Sequence, residues 1–343
     1  MMLLGLRGTG KTVLLNEIGK IAGNEGLIVS KVESPETESL ARLLYPEMRK
    51  VMRSLSGVEA AKQIASRGLK GLRSFASIFK IDVGGVEVGV DAEPGLADSG
   101  DLQYDLPELF TLIGEAAKAA GKGWILLIDE VQYLKAKDLS ALIVAVHHMS
   151  QLGLPVLVVG AGLPQVARLA GDAKSYAERL FLYPKVGALD VGSASQAVEK
   201  PIVDEGASIE PEALSHIVER TRGYPFFLQE WASIAWNDAA GPIISTEDVD
   251  RSYAETLVTL DAGFFRVRID RLTRSEVQFV KAMSSLGDGP YLMADIAGVL
   301  KQKQSSLSPT RGKIITKGMI YSTDHGYLNF TVPLFAEYMR RQG

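Results

Sequence analysis

The sequence contains no cysteine, which excludes disulfides, thiolate-bound zinc and thiol catalysis. Of its four histidines, His147 and His148 are neighbours that face different directions on a predicted helix, and His216 and His325 are isolated. No histidine therefore indicates a metal site. No apolar run approaches the ~18 residues of a membrane-spanning helix, and the N-terminus lacks the charged region and cleavage site of a signal peptide. We expect a cytoplasmic protein without membrane contact.

The chain also lacks a strong charge bias. Its formal net charge is −4, which gives no overall attraction to nucleic acid, so any such binding must come from a local patch. A length of 343 residues exceeds one ordinary hydrophobic core and predicts two or three domains.

The first dozen residues carry the clearest motif. A short apolar strand precedes Gly5–Thr12, which fits the phosphate-binding loop (P-loop) pattern G-x-x-x-x-G-K-[ST]. Its glycines allow positive φ and close approach of an anion to the backbone N–H groups at a helix start. Lys11 can reach the β- and γ-phosphates, and the Thr12 hydroxyl can ligate Mg²⁺. The residues predicted to hold ATP here are Gly5, Leu6, Arg7, Gly8, Thr9, Gly10, Lys11, Thr12 and Val13.

A second motif lies more than a hundred residues later. Ile125–Ile128 is a continuous apolar run, as expected of a parallel strand buried on both faces. Asp129 and Glu130 follow at the carboxyl end of that strand, where ligands bind in open α/β sheets. Asp129 is predicted to hold Mg²⁺ and Glu130 to act as general base on the attacking water. The alternative is that the two acids only start a helix. Together with the P-loop, they predict an ATPase.

Residues from about 49 to 121 are predicted to be an insertion before that strand. Charges in 62–80 are all basic and those in 91–108 all acidic, with a hairpin signal at Gly84-Gly85 between them. We favour solvated segments that pair with each other over a partner surface.

The motif order resembles the AAA+ and STAND-like branch of P-loop ATPases, which includes origin-recognition-type initiators and related archaeal and bacterial ATPases. The resemblance rests on Gly5–Thr12, Ile125–Glu130, the strand Val156–Gly160 and then Glu178–Phe181. It implies that Arg179 is an arginine finger that completes a neighbour's site. The alternative is a surface arginine paired with Glu178.

The resemblance has two further implications. Gly223-x-Pro225 is similar to a STAND-type G-x-P motif, which implies that Tyr224 and Pro225 contact the nucleotide. At the end of the strand Val156–Gly160, the family uses a polar residue that senses the γ-phosphate. This chain has Gly160, Ala161 and Gly162 there, so that sensor is missing or replaced by backbone N–H groups.

The last third predicts three helices followed by a hairpin and a final helix, the pattern of a winged helix-turn-helix. No acid lies between Lys301 and Lys317. On a recognition helix such cations contact DNA phosphates, and the residues predicted to do so are Lys303, Arg311, Lys313 and Lys317. The alternative is a winged helix that contacts protein.

The predicted fold class is α/β: a parallel P-loop sheet with helices on both faces, then a helical lid and a C-terminal winged helix. The predicted domains are 1–190, 191–260 and 261–343. The predicted catalytic residues are Glu130, Lys11 and Arg179, and the cofactors are ATP and Mg²⁺. The nucleotide state would control duplex DNA binding. The alternative function is a signalling switch with little turnover, acting through self-association or a protein partner.

Overall fold

The computed structural model describes residues 1–35, 37–82 and 92–342. The predicted hairpin at Gly84-Gly85 lies outside the described residues. Contacts divide the chain into two compact units. The first comprises Met1–Gly5 and Lys11–Lys185, and the second comprises Leu6–Gly10 and Val186–Gly343. The domain boundaries predicted near 190 and 260 stay predictions.

The first unit alternates strands and helices. Its strands are β1 Met2–Gly5, β2 Ile28–Glu33, β3 Trp124–Asp129, β4 Val156–Gly162 and β5 Lys185–Val186, the last at the boundary of the unit. Its helices are α1 Lys11–Asn24, α2 Leu40–Ser56, α3 Lys62–Ile78, α4 Leu102–Ala119, α5 Ala136–Leu152, α6 Val166–Ala173 and α7 Ala177–Leu180, with short 3₁₀ turns at Glu59–Ala61 and Val131–Tyr133.

The five strands form one sheet in the order β2-β3-β4-β1-β5. Strands β2 and β3, β3 and β4, and β1 and β4 pair in parallel. All six residues of β3 are buried, as expected for a strand covered on both faces. The predicted parallel α/β sheet is therefore confirmed.

The stretch predicted as an insertion contributes helices to the same hydrophobic core as the sheet. Phe110 of α4 packs edge-on against Trp124 of β3, with ring centroids 4.9 Å apart. The indole Nε1 of Trp124 donates to Ser30 Oγ of β2 at 3.1 Å. The basic and acidic segments are in contact, because Arg67 Nε lies 3.0 Å from Glu93 Oε1 and forms an ion pair with it.

The second unit is mainly helical. Its helices are α8 Val191–Asp204, α9 Pro211–Thr221, α10 Pro225–Asp238, α11 Thr246–Thr259, α12 Val267–Ile269, α13 Arg274–Ser285, α14 Met293–Leu300, α15 Gln304–Thr316 and α16 Phe335–Arg341, with a π-helical segment at Leu260–Arg266. Its strands are β6 Ser208–Ile209, β7 Ile243–Ile244, β8 Tyr291–Leu292, β9 Ile320–Asp324 and β10 Tyr327–Phe330.

Helices α13, α14 and α15 are followed by the antiparallel pair β9 and β10, and β8 joins β10 to make three strands. The name winged helix for this region stays a prediction. In the part of the chain that the structure describes, no helix combines the length and apolar character needed to cross a bilayer.

Lys317 requires a correction. Its Nζ lies 2.6 Å from Glu276 Oε2 and donates to the Arg271 carbonyl at 2.8 Å. The Glu276 side chain is only 1% exposed and forms a capping box with Thr273. Burial raises the pKa of Glu276, but hydrogen bonds from Lys317 and Thr273 outweigh it and hold the pKa below its ordinary value of 4.5. Lys317 is therefore part of the packing of this unit rather than an exposed DNA contact.

Replacing Lys317 by alanine leaves a buried carboxylate without its cationic partner. We expect Lys317→Ala to destabilise the second unit by about 1.5–3 kcal/mol at pH 7, measured by urea unfolding. Lys313→Ala is the control, because Lys313 is an exposed lysine on the same helix. It should change stability by less than about 0.5 kcal/mol.

The loss of stability in Lys317→Ala should become smaller as the pH falls through the lowered pKa of Glu276. Below that pKa the carboxylate is protonated in the folded protein, and its ion pair with Lys317 no longer stabilises the folded state. Equal stability of Lys317→Ala and Lys313→Ala, or a gap that does not shrink in acid, would contradict the role of this pair.

Candidate functional site

The P-loop lies between a buried strand and a helix start. Gly5 ends β1 and Lys11 begins α1, so Leu6–Gly10 forms the turn between them. Gly8 and Gly10 have φ of 81° and 84°, a left-handed conformation that L side chains rarely adopt. The Lys11 side chain is buried, whereas Thr12 and Val13 are exposed in the first turn of α1. This is the strand, glycine loop and helix arrangement that binds phosphate.

Hydrogen bonds join the loop residues Leu6–Gly10 to the second unit, with which they are grouped. The Phe226 N–H of α10 donates to the Gly8 carbonyl at 3.1 Å, and the Arg7 N–H donates to the Thr331 carbonyl at 3.2 Å. Within the loop, Thr9 Oγ1 donates to the Leu6 carbonyl at 2.9 Å. The Gly8 carbonyl thereby satisfies an N–H in the first turn of α10, where no intrahelical acceptor exists.

The two predicted magnesium ligands are brought together within the first unit. Thr12 Oγ1 donates to Asp129 Oδ2 at 2.6 Å, and Asp129 ends β3 with 5% exposure. The other carboxylate oxygen of Asp129 accepts the Glu130 N–H at 2.9 Å. A hydroxyl and a carboxylate are ligands that suit Mg²⁺, which also retains water and phosphate oxygens. Among the described residues there is no group of three or more histidine, cysteine or acidic side chains that could hold a metal alone.

Glu130 follows β3 in a left-handed conformation, with φ of 55°. Its side chain is half-buried, and Oε2 accepts a hydrogen bond from the amide Nε2 of Gln132. The carbonyl Oε1 of Gln132 in turn accepts the Leu163 N–H, just after β4, at 3.0 Å. The sequence analysis missed Gln132. The sequence offered one indication of Gln132. Because Gly160, Ala161 and Gly162 carry no polar side chain, a polar group at the end of β4 has to come from another segment.

Tyr224 immediately precedes α10, and Pro225 occupies the first position of that helix. Tyr224 is 3% exposed, and its hydroxyl has no hydrogen-bond partner among the described residues. A Cβ placed on Gly8 would lie 3.2 Å from the ring atom Cε1 of Tyr224 and 3.3 Å from its hydroxyl. Burial raises the pKa of Tyr224, against the opposing charges of Arg268 and Arg7, so its hydroxyl is protonated at neutral pH.

The remaining predicted residues lie on exposed elements. Arg179 and Glu178 are both exposed on the short helix α7, and no ion pair joins them within the described ranges. Lys303 and Lys313 are exposed at the start and near the end of α15. Arg311 of that helix donates to Ser322 Oγ at 3.2 Å. The structure therefore brings Thr12, Asp129 and Glu130 together, and the roles of the exposed cations stay predictions.

Two protein-family models match parts of the chain. Residues 1–159 match the model of an AAA ATPase domain. Residues 262–339 match that of a domain of unknown function, DUF8462. No curated protein matches the sequence.

Several solved structures are similar to this chain at low sequence identity. The Walker-type ATPase PABY2304 of Pyrococcus abyssi is 17% identical, with a TM-score of 0.60 over 99% of this chain and 90% of that chain. The Holliday junction branch migration motor RuvB of Thermotoga maritima is 15% identical, with a TM-score of 0.46 over 99% and 86%. The Orc1 protein of Aeropyrum pernix, solved in complex with DNA, is 14% identical, with a TM-score of 0.42 over 99% and 86%. The Pyrococcus structure supports the fold, and the other two similarities are too weak to support more.

The contact between Gly8 and α10 predicts a difference between two loop glycines. Gly8→Ala and Gly10→Ala both place alanine at positive φ, but only at Gly8 would the new Cβ lie 3.0 Å from Phe226 Cβ, whereas at Gly10 it meets nothing within 4 Å. We expect Gly8→Ala to be less stable than Gly10→Ala by about 1–3 kcal/mol. Urea unfolding of both nucleotide-free variants measures the difference. Equal unfolding midpoints would show that α10 does not pack on the loop in solution.

Proposed function

We propose that this chain, an AAA+ P-loop ATPase, is a switch in which the nucleotide on the P-loop sets the conformation of the second unit. The observation that supports the proposal is the pair of backbone hydrogen bonds from Phe226 to Gly8 and from Arg7 to Thr331. A phosphate oxygen bound in the loop would change the surroundings of the Arg7 N–H and the Gly8 carbonyl. These are the peptide groups that form the two hydrogen bonds. Ligand binding can shift a conformational equilibrium only through such differential contacts.

The residues present fit ATP and Mg²⁺. Gly8 and Gly10 give the loop its positive-φ conformation, and among the described residues no atom beyond the chain neighbours lies within 4 Å of the position where a Cβ on Gly10 would be. Lys11 stands at the start of α1, where its charge would neutralise phosphate oxygens. The hydrogen-bonded pair of Thr12 Oγ1 and Asp129 Oδ2 would hold Mg²⁺. The metal would supply charge neutralisation at the phosphates. The residues proposed to contact the nucleotide are Gly5, Leu6, Arg7, Gly8, Thr9, Gly10, Lys11, Thr12, Val13, Asp129, Tyr224 and Pro225.

Glu130 is the proposed general base. It follows Asp129 directly and carries a half-buried carboxylate that can accept a proton from water. Arg179 is exposed on α7, as required of a side chain that would complete the site of a second copy. Charge supplied in this way stabilises a phosphoryl-transfer transition state.

Tyr224 is the proposed sensor on the second unit. A buried hydroxyl without a partner is unfavourable, and this one lies against Gly8 of the P-loop. A phosphate oxygen on the loop would give that hydroxyl an acceptor. Because Tyr224 precedes α10 directly, this bond would connect the state of the nucleotide to the helix.

We propose duplex DNA as the ligand of the C-terminal domain, which we interpret as a winged helix. Lys313 on α15 and Lys301 and Lys303 just before it are exposed to solvent, and no acid lies between 301 and 317. Arg311 is half-buried beside them and is tied to Ser322. These cations would contact phosphates without selecting sequence. We propose that the protein acts in the cytoplasm, where ATP and DNA are both available.

The second candidate function is a signalling switch with little turnover whose winged helix contacts protein. One observation favours it. The carbonyl of Thr331, which immediately follows β10, binds the Arg7 N–H of the P-loop, so this domain already makes a protein contact at the nucleotide loop. In this alternative, release of that contact would expose a surface to a second copy or to another protein.

Steady-state ATP hydrolysis with and without duplex DNA separates the two functions. We expect turnover that DNA stimulates. Lys11→Ala should lose nucleotide binding, because it removes the charge that meets the phosphates. Glu130→Gln should retain nucleotide binding and lose at least about 100-fold in kcat, because an amide cannot accept the proton.

Charge variants test the DNA contact in the same assay. Lys303→Glu and Lys313→Glu together should remove the stimulation and weaken salt-dependent binding to a duplex, while leaving basal turnover unchanged. The matched control is Lys62→Glu and Lys70→Glu, which makes the same charge change on the first unit. Tight nucleotide binding without turnover, indifferent to DNA, would contradict the first function and support the signalling switch.

A further inference from the structure

We infer that Gln132 is a positioning residue for ATP hydrolysis, which fixes the Glu130 carboxylate to the end of β4. The inference rests on the proposed role of Glu130 as general base. The 3₁₀ turn Val131–Tyr133 places Gln132 two residues after Glu130.

The amide of Gln132 is bonded at both ends. The Leu163 N–H can only donate, so the atom that it meets at 3.0 Å must be the carbonyl oxygen Oε1 of Gln132. That assignment turns the NH₂ group of Gln132 toward Glu130, where it donates to Oε2. A carboxylate is the acceptor that suits this donor. The orientation of the amide is therefore set by its surroundings.

The end of β4 is shaped to admit this side chain. A Cβ on Gly162 would lie 2.7 Å from Gln132 Oε1 and 2.7 Å from Val166 Cγ2, closer than unbonded atoms approach. A side chain at position 162 would therefore force the Gln132 amide or Val166 to move. In the sheet, β4 lies between β3, which precedes Glu130, and β1, which precedes the P-loop. Gln132 thus supplies, at the end of β4, the polar group that Gly160, Ala161 and Gly162 lack.

The Glu130 carboxylate needs such support. The residue has a left-handed backbone conformation, which is uncommon for a non-glycine residue, and its side chain is only half-buried. A half-buried carboxylate is held in one orientation only if a hydrogen bond or close packing fixes it. A general base works only from hydrogen-bonding distance of its water, and small misplacements of reacting groups reduce rates strongly. One hydrogen bond from the Gln132 amide restricts the Glu130 carboxylate, and a second, from the Leu163 N–H, restricts the Gln132 amide.

Gln132→Glu tests the arrangement with minimal change of shape. The new carboxylate can still accept the Leu163 N–H, but it cannot donate to Glu130. We expect kcat for ATP to fall about tenfold, with KM and the nucleotide Kd within about twofold of the unmodified protein. The matched control is Gln151→Glu, the same substitution at an exposed position on the last turn of α5, and it should leave all three values unchanged.

A double variant separates positioning from a general structural defect. If Gln132 acts through Glu130, adding Gln132→Glu to Glu130→Gln should not lower kcat further. Gly162→Ala provides a second route, because it displaces the Gln132 amide without altering either hydrogen-bonding group, and it should lower kcat in the same direction. The inference would be overturned by an unchanged or higher kcat in Gln132→Glu. It would also be overturned if Gln132→Glu lowered kcat by the same factor in the unmodified protein and in Glu130→Gln.

A measurement without nucleotide distinguishes failure of this inference from failure of the proposed function. In ¹⁵N-labelled protein, the side-chain amide resonances of Gln132 are those lost in Gln132→Glu. They should shift in Glu130→Ala, which removes the acceptor, and remain in place in Gln151→Glu. Resonances that do not respond to Glu130→Ala would overturn the inference alone. A lack of ATP turnover by the unmodified protein would overturn the proposed function and the catalytic part of the inference together.

Discussion

Two backbone hydrogen bonds hold the P-loop turn Leu6–Gly10 in the packing of the second unit. The Gly8 carbonyl accepts the Phe226 N–H, and the Arg7 N–H binds the Thr331 carbonyl. The loop residues Leu6–Gly10 are therefore part of the packing of the second unit, to which they belong. Any rearrangement of Gly8 must preserve or break the bond that satisfies the first turn of α10. We propose that nucleotide on the loop acts on the second unit through these main-chain bonds.

The chemistry of the first unit depends on burial of its central strand. Because β3 is buried along its whole length, its position is determined by packing on both faces, and the residues that follow it are held in place. Asp129 reaches Thr12 and Glu130 reaches Gln132 from that fixed end. If these side chains act as we propose, groups supported in this way would need little reorganisation at the moment of reaction.

The sequence predicted those parts of the site whose signals are local. The P-loop spacing places Lys11 and Thr12 on a helix start, and the apolar run Ile125–Ile128 predicted the strand that carries Asp129. Partners distant in sequence were not predictable. Lys317 lies in a run without acids, but its partner Glu276 is 41 residues away, so charge pattern alone indicated an exposed face. Gln132 was missed because its role depends on Leu163 and on the space left by Gly162.

We propose that the second unit senses nucleotide on the loop through these backbone bonds. Amide hydrogen exchange is the sharpest test, because exchange reports the opening of individual hydrogen bonds. ATP, bound to Glu130→Gln so that it is not consumed, should change the exchange rates of the Arg7 and Phe226 amides. The Asp248 amide, which is bonded within the capping box of α11, should not change. Unaltered exchange at Arg7 and Phe226 with nucleotide demonstrably bound would contradict the account.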